Sequence, residues 1–252
     1  MGEGERSLRN EPWRAGIKMA VPLVTVHLSS VRPSRVPWAV ARMALDRPGL
    51  AGTPGLRFAK LLGTGDGRTF DVRDVDPLTW GLLAVWDDAA ALARFERRSP
   101  VSRAWARAAE DRWRADLVPV ASRGRWSGCD PFTPTGTGRT EGAVAAITRA
   151  RLRPRLARTF WRAVPPVVAD LHADPGLLLS VGIGEAPVGL LGTFSIWKSA
   201  TALRDFAYRR SPHAEVVRRT AAVGWYAEEL FARFAVLQTT GTLCGRDPVG
   251  RP

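Results

Sequence analysis

The chain has 252 residues, of which 45% are hydrophobic and 24% charged, with 24 glycines and 19 prolines. That apolar fraction is ample for a packed core and excludes collagen-like, coiled-coil and disordered classes. The formal charge is +13, carried almost wholly by arginine because Lys18, Lys60 and Lys198 are the only lysines, and it favours anionic partners: a membrane surface, nucleic acid, or a carboxylate- or phosphate-bearing ligand.

Residues 1–20 are charged and read as a mobile tail. The apolar stretch Met19–Val26 is too short for a signal-peptide core, and no run approaches the ~20 residues of a spanning helix. Cys129 and Cys244 lie far apart without metal-ligand spacing. The expectation is a cytoplasmic chain, soluble or peripheral to a membrane. A first strand is predicted over Leu23–Leu28, a helix over Val36–Leu45, a second strand over Leu56–Leu62 and a third over Trp80–Trp86. Asp87 and Ser99-Pro100 then start two helices, and Ala115–Val120 is a fourth strand. Residues 123–142, rich in Gly, Pro, Ser and Thr, read as a linker partly ordered by Trp126 and Phe132.

The same string of elements then recurs. Strands are predicted at Ala143–Ile147, Leu177–Ile183, Leu190–Trp197 and Phe231–Leu237, with helices over Leu156–Leu171 and from Ser199 and Ser211-Pro212; residues 239–252 read as a second mobile tail. Trp86 matches Trp197 and Phe95 matches Phe206; Ser99-Pro100 matches Ser211-Pro212, Trp113 matches Trp225, and Arg32-Pro33 echoes Arg153-Pro154. The predicted class is therefore α+β: internally duplicated ferredoxin-like halves, 21–122 and 143–238, forming a single-chain dimeric-type α/β barrel.

Few residues offer chemistry. His213 stands where the first half has Val101, so one half holds something that the other lacks. Near a helix N-terminus the dipole disfavours imidazolium and leaves a nitrogen free for a metal; a surface histidine at a helix start is the plainer alternative. His27 lies in the first strand, with Thr148 as its counterpart, and reads as a hydrogen-bonded core histidine. His172 reads as a helix-end cap. There is no two-histidine metal pattern, whereas a haem needs one axial ligand. Gly63-Thr64-Gly65-Asp66-Gly67 lies between strands, so phosphate-loop readings fail on context and a hairpin loop lining a pocket is expected. Glu185 reads as a surface turn residue, with a pocket acid as the alternative. Trp38, Phe58, Lys60, Trp80 and Trp161 are candidates for lining an apolar cavity. Arg97-Arg98 and Arg209-Arg210 precede helix starts, where they either solvate the surface or pair with haem propionates or lipid phosphates. No nucleic-acid-binding motif is present.

Three strings carry a family resemblance: Gly182-Ile-Gly-Glu-Ala-Pro187 with Thr193-Phe-Ser-Ile-Trp197; Pro212-His213-Ala214 followed by Gly224-Trp225 and Glu228-Glu-Leu-Phe-Ala-Arg-Phe234; and Phe58-Ala-Lys-Leu-Leu-Gly-Thr-Gly-Asp-Gly67 with Phe70. From about Val24 to Val236 the chain resembles the spheroidene monooxygenases. The resemblance implies a haem b-associated, dioxygen-dependent oxygenase that hydroxylates a methylene of an acyclic carotenoid, a second round giving a ketone, with an external electron donor. His213 would be the axial ligand, with Arg209 and Arg210 beside the cofactor; the oxygen-activating residue is unnamed, Arg149 being one guess. Ala59, Thr64 and Thr69 stand where the family has Trp, Ser and Gly, which leaves open another apolar substrate and a natural-product tailoring role. The alternatives are a haem enzyme of dehydratase type, a carrier of haem or a hydrophobic ligand, and a cofactor-free oxygenase, as monomer or homo-oligomer.

Overall fold

The computed structural model describes residues 22–66, 74–134, 141–163, 165–185, 192–209, 218–219 and 223–250, with the backbone alone at 158, 161, 163, 165–168 and 209. Its strands are β1 (Leu23–Val31), β2 (Leu56–Gly65), β3 (Val75–Trp86), β4 (Ala109–Gly124), β5 (Val144–Leu152), β6 (Leu177–Gly184), β7 (Gly192–Trp197) and β8 (Tyr226–Gly241). The helices are α1 (Val36–Ala51), α2 (Ala89–Arg98), α3 (Pro100–Ala108), α4 (Ala157–Ala163), α5 (Pro165–His172) and α6 (Ala200–Arg209).

The strands close into one antiparallel barrel in the order β1-β3-β2-β6-β7-β5-β8-β4. Within each run of four the spatial order is fourth, first, third, second, the ferredoxin-like arrangement, and helices cover the outside. Closure gives every described edge strand a partner, which answers the exposed-edge problem. One joint is the seam of β2 with β6, where Gly63 faces Gly184 and Gly65 faces Gly182. The expected hairpin loop at Gly63–Gly65 is thus a strand, and Thr64 is buried with its hydroxyl donating to the Thr79 carbonyl at 2.7 Å. Gly67 and Thr69 lie outside the described residues.

Strand pleating divides the side chains. Val24, Val26 and Leu28 of β1 point into the barrel with Leu83, Val85, Trp113, Leu117, Ile147, Phe194 and Phe234. The alternate residues Leu23 and Val31 face outward onto a second core under α1, α2 and α3, with Leu61, Trp80, Trp86, Phe95 and Trp105. Local signals explain the helix starts. Asp88, rather than the expected Asp87, caps α2 by accepting from the Ala91 amide at 2.7 Å. Ser99 accepts from the Val101 amide at 3.2 Å and Pro100 opens α3. Ser199 accepts from the Ala202 amide at 3.1 Å at the start of α6. The helix predicted over Leu156–Leu171 is described as α4 and α5, which lie on either side of residue 164, itself outside the described residues. The helix predicted from Ser211-Pro212 lies outside the described residues.

Trp86 and Trp197 take matching places at the ends of β3 and β7. Each is buried, with Phe95 at 5.0 Å and Phe206 at 5.1 Å between ring centroids. The match of Trp113 with Trp225 does not hold in space. Trp113 lies inside the barrel on β4 opposite Leu28, whereas the place opposite Arg149, in the other half, belongs to Leu230. Trp225 precedes β8, packs on Phe160 and donates its indole N–H to Thr159.

Beyond β4 and β8 the chain repeats a strap. Gly124, Ser127 and Gly128 have positive φ, as do Gly241, Cys244 and Gly245, and bridges join Trp126 to Cys129 and Leu243 to Arg246. Side chains opposite each strap tie it down. Glu228 accepts from the Ser127 and Gly128 amides at 3.1 and 2.8 Å; Asp111 accepts from the Thr242 hydroxyl and the Gly245 amide at 2.6 and 2.8 Å. Trp126 and Phe132 plug one barrel end, and Leu243 and Val249 pack against the same core at the other. Residues 239–250 are therefore a folded closure rather than the expected tail, with Asp247 accepting from Trp113 and Thr239, each at 3.2 Å.

Candidate functional site

With its interior filled, the barrel leaves two places for chemistry: the layers between sheet and helices, and the plugged ends. The two layers differ sharply. In the first half, Leu61, Leu82 and His27 lie side by side across β2, β3 and β1 on the helix-facing side. Val101, Trp105, Trp80 and Phe95 cover them, leaving a void of about 30 Å³. In the second half the corresponding row across β6, β7 and β5 is Gly182, Thr193 and Thr148. The next row is Ser180, Ser195 and Ala146. Thr148 is exposed where its counterpart His27 is 8% exposed. The described buried core beneath the second helical layer consists of Val144, Leu171, Trp197 and Phe206. The described side chains of this face are small and uncharged, Gly182 and Ser195 are buried, and the buried Ser180 hydroxyl has no hydrogen-bond partner among the described residues.

His27 is part of the filled layer. Its Nε2 lies 3.0 Å from the Thr25 hydroxyl, which also accepts from the Trp86 indole at 2.9 Å. Burial, followed by the nearby Arg114 and Arg112 guanidinium groups, pushes its pKa down to about 3, so the ring is neutral at physiological pH. This is the hydrogen-bonded core histidine that the sequence predicts.

At the barrel end under the first strap sits an ion cluster. Arg149, on the inward side of β5 and 6% exposed, donates to Glu228 and, at 2.8 Å, to Glu185. Glu185 also accepts from Lys60 at 2.7 Å and from the Trp126 indole at 2.8 Å, and Lys60 donates to the Ser127 hydroxyl at 2.6 Å. Burial pushes both carboxyls up, but these donors outweigh it and hold Glu185 and Glu228 below the ordinary glutamate value. Glu185 is therefore the hub of a half-buried network rather than the surface turn residue expected. Beside it, Arg57, Phe58, Val85, Cys129, Asp130 and Pro131 line a cavity of about 210 Å³.

The residues predicted to form a site fall in several places. Phe58 and Lys60 lie together at the strapped barrel end, 5.5 Å from ring centroid to ammonium. Trp38 and Trp80 belong to the filled first layer, Trp38 packing edge-on to Trp105 at 5.0 Å. Trp161 lies on α4 in the second half and Arg209 ends α6, each described in backbone only. Arg210 and His213 lie outside the described residues. His172 is exposed in the last turn of α5. Sequence reasoning missed the two straps, although Gly124, Gly128 and Asp130-Pro131 recur as Gly241, Gly245 and Asp247-Pro248. That repeat also fixes the fourth-strand register.

The closed antiparallel barrel with outer helices is a ferredoxin-like architecture. No family model matches the chain. It is 34% identical over 218 residues to a spheroidene monooxygenase of Rhodobacter capsulatus, spanning 86% of this chain and 90% of that one. It is 33% identical over 219 residues to that of Rubrivivax gelatinosus, spanning 87% and 84%. The chain belongs to the spheroidene monooxygenase family. Among solved structures, an aldoxime dehydratase in complex with butyraldoxime shares the fold, with a TM-score of 0.56 at 11% identity over 87% of this chain and 81% of that one.

Proposed function

We propose that the chain is a haem-dependent monooxygenase acting on an apolar small molecule, with haem b held on the helix-facing side of the second half. The observation that carries this reading is the contrast between the two helix-facing sheet rows: Leu61, Leu82 and His27 in one, and the small residues Gly182, Thr193 and Thr148 in the other. A floor of small, uncharged side chains fits a flat apolar macrocycle, and the unpartnered Ser180 hydroxyl beside it fits a polar rim group.

In the first half Val101 is 5% exposed and lies over Leu61 and Leu82. If the halves are copies of one βαββαβ unit, His213 is the counterpart in sequence of Val101. His213 would bind the haem iron, and Arg209 and Arg210 would pair with the propionates. Bound haem would supply the centre at which dioxygen is activated. The small residues Gly182, Thr193 and Thr148 would leave room for the cofactor against the sheet, and Trp161 of α4 would be an aromatic of the substrate pocket. Trp38, Phe58, Lys60 and Trp80 are used in packing and in the ion cluster, as is Arg149, which the reading assigns to scaffold rather than oxygen activation. The named activity of the relatives points to an acyclic carotenoid: one oxygen atom enters a methylene C–H and the other leaves as water, with two electrons and two protons from an external donor.

The test is product labelling under isotopically heavy dioxygen, with the haem-loaded protein, a reductant and an acyclic carotenoid. One labelled oxygen in the first hydroxylated product is expected. Turnover without dioxygen consumption would replace this reading with a dehydratase-type haem enzyme, and reversible ligand binding without turnover with a carrier.

A further inference from the structure

Helix α1 is apolar on both sides. Its sheet-facing side buries Ala39, Met43 and Leu50, together with Asp46, which binds Arg42 and accepts from the Trp105 indole at 2.8 Å. At about 100° per residue, Pro37, Val40, Ala41, Ala44, Leu45 and Pro48 fall on the opposite side. All six are exposed, Leu45 by 66% and Val40 by 42%. A helix lying on a globular core ordinarily turns charged residues to solvent. Here the outward side of α1 carries none: Arg47 borders one edge and Arg42 the other, and the helix's one acid is buried. Single exposed apolar residues are ordinary, but a continuous stripe along a 16-residue helix marks a contact surface.

We propose that this face of α1 docks the chain on an anionic lipid surface, the helix lying in the membrane plane with Val40 and Leu45 entering the headgroup–acyl boundary. Exposed Arg35 and Arg47 flank the stripe and would meet lipid phosphates, and the +13 charge of the whole chain draws it to such a surface. The stripe has none of the Trp, Tyr or Arg anchors that concentrate energy in protein–protein interfaces, which favours lipid over a protein partner. No described helix is long and apolar enough to cross a membrane, so contact through α1 is at the surface. The inference rests on the proposed oxygenase only in that a lipid-phase substrate gives docking a purpose.

Vesicle flotation of the full chain tests it without haem or substrate, so the two readings fail separately. The wild type is expected to float with phosphatidylcholine vesicles that contain phosphatidylglycerol and not with phosphatidylcholine alone. Val40→Glu/Leu45→Glu is expected to lower the affinity at least about tenfold with an unchanged thermal midpoint, since both sites are exposed. Arg35→Glu/Arg47→Glu is expected to weaken binding and its salt dependence. Equal flotation of wild type and Val40→Glu/Leu45→Glu overturns the assignment to α1. Absence of flotation, with a concentration-dependent dimer that the same substitutions abolish, overturns it in favour of a second copy on this face.

Discussion

Replacing Arg149 by Met tests how much the barrel end depends on its ion cluster. Methionine keeps an unbranched apolar stem of similar reach over the Trp126 ring, which the guanidinium now faces at 5.6 Å, and deletes only the charge. Removing one partner of a fully buried pair costs about 3–5 kcal/mol. Here Glu228 keeps the Ser127 and Gly128 amides, Glu185 keeps Lys60 and Trp126, and the Glu185 side chain is 31% exposed. The expected loss is therefore smaller, about 2–3 kcal/mol, or roughly 5–10 °C in Tm at this chain length. Urea unfolding followed by tryptophan fluorescence at pH 7 measures it, with the slope unchanged. The sign with pH follows from the carboxyls. Both glutamates lie below their unfolded values, so their contribution is complete above about pH 4.3 and disappears as pH falls through the folded values. The difference between wild type and variant should accordingly shrink toward pH 3. A loss under about 0.5 kcal/mol at pH 7, or the same loss at pH 3 and pH 7, would refute the network as a stabilising unit.

Three further outcomes follow from other parts of the molecule. His27, held neutral by burial, binds a proton more readily when unfolded, so the fold should lose about 1.4 kcal/mol per pH unit between pH 6.5 and about 3; His27→Gln should flatten that limb of a stability–pH curve. Trp113→Ala should cost about 3–5 kcal/mol in chemical unfolding, because it empties a barrel position 1% exposed and frees Asp247 from its indole partner. Thr148→Trp, at an exposed site, should leave Tm within about 2 °C of the wild type while it blocks haem uptake; unimpaired uptake would place the cofactor elsewhere.

Much of the fold is legible because packing repeats itself in the sequence. The Trp86–Phe95 and Trp197–Phe206 pairs, each followed by Ser-Pro, mark the same strand-to-helix step, and those rings do pack alike. The fourth strands are less legible: β4 has Trp113 where β8 has Leu230, so the eye aligns the wrong tryptophan. The straps hide because Gly and Pro signal irregular backbone, which reads as linker and tail, while the carboxylates that anchor it lie on distant strands. The ion cluster is the least legible feature. Arg149 meets Glu185 and Glu228 at separations of 36 and 79 residues, and Lys60 meets Glu185 across 125, so only barrel closure brings them together. The helix-facing row of the second half is written in small residues, Thr148, Gly182 and Thr193, and its meaning emerges only against Leu61, Leu82 and His27 in the first.

The most direct test of the haem assignment is a haem titration followed by visible absorption, with the wild type beside His213→Ala and a control, His27→Gln. The account predicts one haem per chain in the wild type and in His27→Gln, and a lost or shifted Soret band in His213→Ala. A wild-type spectrum retained unchanged in His213→Ala, or a wild type that takes up no haem, would contradict it.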